Sequence, residues 1–369
     1  MRKTFDEVFE DQTKLCTKLK TDEYQASGSH VIIDQGQEQV AGYTNLNDGL
    51  FTNVPALIFG DHTRVIKYVD KPFFLGADGV KVLRCKFDDA NYRYLYYALK
   101  SASIPNTGYN RHFKWLRETC IFYPDAIRQA EIVCVLDGVM KLIEKRQQQL
   151  STLDDLIKAR FVEMFGDLAK GVGGYPVEKI GSLVANIVPG WSANGEARQK
   201  TCGEKAVLKV SAVTQGYFKP EEHKALSVET EIKKYVFPRK GDLLFSRANT
   251  KELVGATAII DRDYPDLILS DKLWRVIFTD AMNVYYAKYV LSTEFIRGQF
   301  SAKSTGTSGS MFNVSADKFR DVAIPVPPRM LQDSFAVFVR QVDKLKSAIQ
   351  KSLDETGILF NSLMQKYFC

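Results

Sequence analysis

Residues 127–165 read IRQAEIVCVLDGVMKLIEKRQQQLSTLDDLIKARFVEMF, and residues 330–368 read MLQDSFAVFVRQVDKLKSAIQKSLDETGILFNSLMQKYF. In the first stretch Ile132, Leu136, Val139, Ile143, Leu150, Leu153, Ile157 and Met164 recur in alternating steps of four and three, with Arg146 and Arg160 on the same register. A 3.5-residue rhythm held for about five heptads marks a helix whose apolar seam packs along another long helix. A shift of 203 positions gives Phe335, Val339, Val342, Lys346, Ile349, Leu353, Thr356, Phe360, Leu363 and Tyr367. Residue types also match off the seam: Val135 with Phe338, Lys141 with Lys344, Leu142 with Leu345, Leu156 with Leu359 and Phe165 with Phe368. Arg146 and Arg160 stand where the second run has Ile349 and Leu363, and Ile143 where it has Lys346. Such asymmetry favours pairing of the two helices with each other over self-pairing of either.

Working outward, a chain of 369 residues exceeds one ordinary core, so two or three domains are expected. Hydrophobic residues at 45% and charged residues at 25% match a soluble globular protein. No apolar run approaches ~18 residues, and Met1-Arg2-Lys3-Thr4-Phe5-Asp6-Glu7 lacks the apolar segment of a signal peptide. Cys16, Cys85, Cys120, Cys134, Cys202 and Cys369 form no Cys-x-x-Cys pair, which fits a reduced, cytoplasmic setting better than a disulfide scaffold. The net charge of +6 is unevenly placed: residues 1–126 carry 16 Lys+Arg against 16 Asp+Glu, and residues 168–328 carry 22 against 17. A basic second segment permits a nucleic-acid partner without requiring one.

Residues 1–126 read as mixed α and β. Val31-Ile32-Ile33, Pro55 to Phe59, Arg64 to Val69 and Gly79 to Arg84 are short β-rich runs between Gly, Asn and Asp. Asn91 to Leu99, with four tyrosines, looks helical; its rings serve either as core and rim packing or as a base-stacking surface. The loop Pro105-Asn106-Thr107-Gly108-Tyr109-Asn110-Arg111-His112-Phe113-Lys114-Trp115 joins Gly flexibility to donors that reach phosphates and base edges, and equally suits a plain polar surface. Thr119 to Pro124 is a short strand stopped by proline. After Gly166, the glycine-rich run 168–176 lacks the Gly-Lys-Ser/Thr of a phosphate loop and reads as a linker.

The second segment repeats the first. Gly241 to Ser246 takes the place of Pro55 to Gly60, Leu269 to Val276 that of Leu75 to Val82, and Asn283 to Thr293 that of Asn91 to Ser101. A Gly/Ser/Thr loop, Lys303 to Asn313, and Val322-Ala323-Ile324-Pro325-Val326-Pro327-Pro328 then lead into the second long helix. The order is globule, helix, globule, helix. Enzyme signatures are missing: no Asp/Asn-Pro-Pro-Tyr/Phe motif, no cofactor glycine fingerprint and no Gly-x-Ser-x-Gly elbow. His30, His62, His112 and His223 are too scattered for a His-based metal site, and Asp242 and Asp271 read as turn caps rather than a catalytic pair. The chain reads as a binder with no catalytic and no metal residues.

Gly241-Asp242-Leu243-Leu244-Phe245-Ser246-Arg247-Ala248-Asn249-Thr250, then Leu269-Ser270-Asp271, the Gly/Ser/Thr loop, Ile324-Pro325-Val326-Pro327 and a long helix resemble the specificity subunit of type I restriction-modification enzymes. The first half resembles the same pattern more loosely, through Ile58-Phe59-Gly60-Asp61 and Ile121-Phe122-Tyr123-Pro124. The resemblance covers essentially the whole chain and implies an α+β protein: two α/β target-recognition domains separated by two long antiparallel coiled-coil helices, with a pseudo-twofold internal repeat. The implied domains are 1–126, first target-recognition domain; 127–166, central spacer helix; 167–328, second target-recognition domain; and 329–369, C-terminal spacer helix. Each domain would read half of a bipartite duplex DNA site. The helices, roughly 60 Å long at ~1.5 Å per residue, would set the unread spacer through a seam of Ile132, Leu136, Val139, Ile143, Leu150, Leu153, Ile157, Phe335, Val339, Val342, Ile349, Leu353 and Phe360.

The resemblance places DNA contacts at His62, Arg64, Asn110, Arg111, His112 and Lys114 in the first domain. In the second it places them at Arg247, Asn249, Lys251, Lys303, Ser304, Thr305, Ser308 and Asn313. The first loop is shorter by about eight positions than its counterpart. Implied partners are DNA adenine methyltransferase subunits, generally two, which bind S-adenosylmethionine and flip the target adenine, and an ATP- and Mg-dependent translocase/nuclease subunit. This chain itself would bind no cofactor. The competing readings are a coiled-coil scaffold that binds protein without DNA specificity, and a restriction-enzyme fragment with nuclease activity of its own.

Overall fold

The computed structural model describes residues 1–76, 78–167, 174–227, 229–305 and 311–368. The fold is mixed α and β and divides into two compact units. Unit 1 holds Met1–Gln149 and Ile349–Cys369, and unit 2 holds Leu150–Ala348. Two 40-residue helices, Ala126–Phe165 and Arg329–Phe368, each contribute one stretch to unit 1 and one to unit 2. Neither these nor any other described helix is long and apolar enough to cross a membrane.

In unit 1 an antiparallel sheet runs in the order Phe9–Asp11, Val80–Cys85, Ala56–Gly60, Ile66–Val69. Its central strand Ala56–Gly60 is buried at every position. Alternation of side chains across the pleat explains why. Leu57 and Phe59 enter a core with Tyr94, Tyr97 and Leu136, while Ala56 and Ile58 enter another with Phe73, Leu75 and Val82. The second core is closed by a three-stranded sheet, Gly42–Thr44, His30–Ile33 and Phe73–Leu75, whose last pair is parallel.

Unit 2 has the same wiring. Its four-stranded order is Val184–Pro189, Leu273–Phe278, Leu243–Ser246, Thr257–Ile259, and its three-stranded order is His223–Ala225, Ala206–Leu208, Leu267–Ile268. Leu243 and Phe245 face one core and Leu244 the other. Gly60 pairs with Val80 and Ser246 with Leu273, so Leu273 is the equivalent of Val80. The sequence alignment of Leu269–Val276 with Leu75–Val82 is therefore one residue out, because an apolar run looks alike after a slip of one whereas the ladder does not.

A polar lock holds each tyrosine-rich helix to the start of a long helix. In unit 1 the Tyr92–Lys100 helix is capped by Asn91, whose backbone N–H donates to Gln129 Oε1 at 2.9 Å, while Gln129 Nε2 donates to the Pro124 carbonyl at 2.9 Å. In unit 2 the Val284–Ser292 helix is capped by Asn283, whose N–H donates to Gln332 Oε1 at 2.8 Å. Gln332 Nε2 donates to the carbonyls of Pro327 at 2.8 Å and Ala281 at 3.0 Å. Both glutamines are fully buried. Tyr94 and Tyr286, also fully buried, donate their hydroxyls to Phe122 O at 2.6 Å and Pro325 O at 2.8 Å. These helices thus spend their key tyrosines on core packing, not on an open stacking face.

The long helices pack within each unit. In unit 2, Phe161 meets Phe335 at 5.5 Å between ring centroids, the Arg160 guanidinium lies 5.8 Å from the Phe338 ring, and Lys346 pairs with Asp154. The partner number falls as the helix number rises, which is antiparallel order. In unit 1, Arg128 lies over the Tyr367 ring, and Ile132 and Leu136 share a core with Phe360 and Leu363. Ile132, Leu136, Val139, Ile157, Phe335, Val339 and Val342 are buried, and Ile143, Leu150, Leu153, Ile349, Leu353 and Phe360 half-buried.

Candidate nucleic-acid interface

The strand Ala56–Gly60 delivers Asp61 to the end of its sheet. Asp61 is 5% exposed, and its N–H donates to Gly79 O at 2.7 Å. Its Oδ1 accepts from the Phe113 N–H at 2.7 Å, and its carbonyl accepts from the His112 N–H at 2.8 Å. His112 Nδ1 lies 2.9 Å from the same carbonyl, which places a proton on Nδ1 and leaves Nε2 facing Thr107 Oγ1 at 3.4 Å. His112 is fully buried. Its expected place among the DNA contacts is corrected: the ring fastens the loop to Asp61 from inside.

That clamp turns the rest of the loop outward. Thr107, Asn110, Arg111, Lys114 and Trp115 line an open concavity of about 530 Å³. Asn110 Nδ2 donates to Thr107 O at 2.6 Å, so its side chain shapes the loop while Arg111 stays exposed. Lys114, exposed, rests its Nζ 4.2 Å from the Trp115 ring centroid, an arrangement that holds an ammonium at the surface. Tyr109, 88% exposed, stacks on half-buried His62 at 4.6 Å and 7°. Arg64 has a left-handed φ of 61° in the hairpin turn after Gly60, and its Nη1 donates to Ile104 O at 3.4 Å. It serves the turn first. Asp78 is held below the usual carboxylate range chiefly by a hydrogen bond from Lys18, with Arg111 adding a weaker pull.

Unit 2 uses the same backbone circuit with other side chains. Arg247 N–H donates to Lys272 O at 3.0 Å, and Val314 N–H donates to Arg247 O at 2.8 Å, so Arg247 stands where Asp61 stands and Val314 where His112 does. The Arg247 guanidinium lies 5.6 Å from the Trp274 ring centroid, and its Nε is buried without a hydrogen-bond partner among the described residues. Asn249 is 8% exposed, pairs with Phe312 across a two-residue ladder and turns its Oδ1 to the Thr250 N–H. Its expected exposure to DNA is likewise corrected: a strand pairing draws it inside. Lys251 is exposed; Ser304 donates to Ser301 O at 2.6 Å; Thr305 and half-buried Asn313 exchange backbone hydrogen bonds at 2.9 Å. Ser308 lies outside the described residues. The helix Glu294–Lys303, ten residues with no equivalent in unit 1, accounts for the longer second loop.

Lys303 ends that helix and is tied to Asp321 at 2.7 Å, which also binds Lys179 at 2.7 Å. Hydrogen bonds from Lys179 and then Lys303 hold the Asp321 carboxyl down at about 2, below its ordinary 3.8. A depressed carboxylate stabilises the fold above its unfolded value and loses that contribution as pH falls toward its folded value. Wild-type stability in urea should therefore drop between pH 4 and 2 more steeply than that of Asp321→Asn, and parallel curves would remove Asp321 from the acid limb. Among the described residues no three His, Cys, Asp or Glu side chains gather as a metal site. Sequence reasoning gave no site role to Asp61, Tyr109, Trp115 or Trp274; Asp61 carried a signal as the end of Ile58-Phe59-Gly60-Asp61, and Tyr109 and Trp115 as aromatic residues inside a donor-rich loop.

A family model described as the type I restriction modification DNA specificity domain matches residues 164–356, more than half of the chain. Over 180 residues the chain is 26% identical to the type I restriction enzyme EcoEI specificity subunit of Escherichia coli. That match covers 47% of this chain and 30% of the relative's length. The crystal structure of a type I restriction-modification system S subunit from M. genitalium superposes with a TM-score of 0.59 at 16% identity, covering 100% of this chain and 96% of that one, a likeness of fold. By this family match, with the duplicated wiring beside it, the chain belongs to the type I restriction-modification DNA specificity domain family.

Proposed function

We propose that this chain is the noncatalytic sequence-reading subunit of a type I restriction-modification complex. The observation that carries the reading is the repeated backbone circuit at Asp61 and Arg247, which in unit 1 ends the sheet in a loop rich in outward donors, within a family of DNA specificity domains. Residues 1–126 and 167–328 act as target-recognition domains for the two halves of a bipartite duplex site. Arg111 and Lys114 in one, and Arg247 and Lys251 in the other, are the side chains best suited to reach base edges and phosphates.

The long helices act as an antiparallel coiled-coil spacer that relates the two domains by a pseudo-twofold repeat and sets the unread bases between half-sites. Their exposed apolar residues, Val135, Leu142 and Leu156 at heptad spacing, offer docking for methyltransferase subunits, two by the repeat. Methylation at adenine, with S-adenosylmethionine, belongs to those subunits, and ATP- and Mg-dependent translocation to a separate restriction/translocase subunit, all in the cytoplasm. Mapping methylated adenines with and without the gene tests the reading. Loss of a bipartite motif is expected, and an unchanged methylome would sink it. Arg111→Ala should relax discrimination by about 1–3 kcal/mol at one base pair of one half-site, and Arg247→Ala at the other. Uniform weakening on all sequences would make both residues phosphate contacts instead.

A further inference from the structure

The basic excess of unit 2 is concentrated away from its reading loops. Residues 190–242, which fill the gap between the strands Val184–Pro189 and Leu243–Ser246, carry ten Lys+Arg against seven Asp+Glu. The equivalent residues 12–55 of unit 1 carry three against five. The cations of the unit 2 lobe are also mounted differently from ordinary surface lysines. Lys219 lies 5.4 Å from the Tyr217 ring centroid and Arg239 4.8 Å from that of Phe237.

The rings are joined to one another. Phe218 packs on Tyr264 at 5.0 Å and Tyr235 on Phe237 at 5.5 Å, and the Tyr264 N–H donates to Pro238 O at 3.0 Å. These segments therefore form one continuous face, on which Lys233, Arg239 and Lys240 are exposed. Four of the seven carboxylates of residues 190–242 are taken: Glu196 and Glu204 bind Arg198, Glu222 binds Lys209, and Asp242 lies 3.6 Å from Arg275. A cation on an aromatic face keeps its N–H donors free for an incoming anion.

We propose that this face of unit 2 is a sequence-independent clamp on duplex DNA phosphates beside the half-site that unit 2 reads. The inference rests on the DNA-reading function proposed above. Continuity with the reading loops selects duplex DNA over an acidic protein. The strand Leu243–Ser246 leads from the turn at Lys240–Gly241 to Arg247, a span of less than ~23 Å at ~3.3 Å per residue, or under about seven base-pair steps of ~3.4 Å. Unit 1, with no such excess, would depend on its concavity alone, so the two domains engage DNA unequally.

Binding of the full chain to a 30-base-pair duplex of arbitrary sequence, followed across salt concentration, tests this. Each phosphate contact contributes about 0.9 to the slope of log affinity against log salt, so the triple substitution Lys233→Ala, Arg239→Ala, Lys240→Ala should make the slope shallower by roughly 2–3. Discrimination among single-base variants of the mapped site should stay unchanged. Lys14→Ala with Lys20→Ala, in the equivalent lobe of unit 1, should leave the slope as it is. An unchanged slope in the triple variant, an equal change in the unit 1 control, or altered base discrimination would each overturn the clamp while leaving the DNA-reading function standing. A wild-type chain that binds no duplex at any salt concentration would overturn both.

Discussion

Gln332→Leu should cost unit 2 about 3–5 kcal/mol, more than any surface substitution in the chain. The side chain is fully buried and satisfies three backbone groups: the Asn283 N–H and the carbonyls of Ala281 and Pro327. Leucine nearly fills the same volume, so little cavity term enters, but each buried group left unpaired costs about 1–3 kcal/mol. Gln129→Leu strands two backbone groups, the Asn91 N–H and the Pro124 carbonyl, and should cost unit 1 less. Urea unfolding followed by tryptophan fluorescence reports on both, since Trp115 lies in unit 1 and Trp191 and Trp274 in unit 2. Midpoints equal to wild type would show that water replaces the amide at no cost and that the lock is decorative.

The second large effect is on the target site. Four residues inserted after Gln148 advance a helix by ~6 Å, about two base-pair steps, and turn it by just over one revolution, which keeps the seam nearly in phase. A matching insertion near Lys351 keeps the facing helix in step. If the helices act as the proposed spacer, methylation should leave the original bipartite site and appear at one whose halves are unchanged but lie further apart. The loss at the original site should exceed a hundredfold, because at fixed spacing one half-site is misplaced and each mismatched base pair costs about 1–3 kcal/mol. Retention of the original spacing in a folded, methylating complex would refute the spacer role.

Much of the fold was legible because it is written in periods. The 3.5-residue seam gave both long helices, and the strand runs Val31–Ile33, Pro55–Phe59 and Gly79–Arg84 all became strands within a residue or two. What the sequence hid depends on long-range backbone pairing. His112 looked like a free donor; its partner Asp61 lies 51 residues away, and nothing local announces that the two will meet. Asn249 resembled a loop residue until its ladder with Phe312 withdrew it. The helix Glu294–Lys303 follows a tyrosine helix with only Thr293 as a cap between them, so sequence reading ran past the break into the loop beyond. Arg111 and Lys114, by contrast, stand outward as their loop composition led one to expect.

The glutamine locks have a meaning beyond stability. Asn91 with Gln129 and Asn283 with Gln332 are the same fitting made twice, and each joins a globular segment to a long helix without using any residue of the outward loops. A fitting of this kind works as a standard socket. A globular segment that brings the capping asparagine and the proline carbonyl would seat in either position whatever its loops read. If the segments read half-sites as proposed, the chain would acquire a new one by replacing a single plug-in part, leaving the other segment and its lock unaltered.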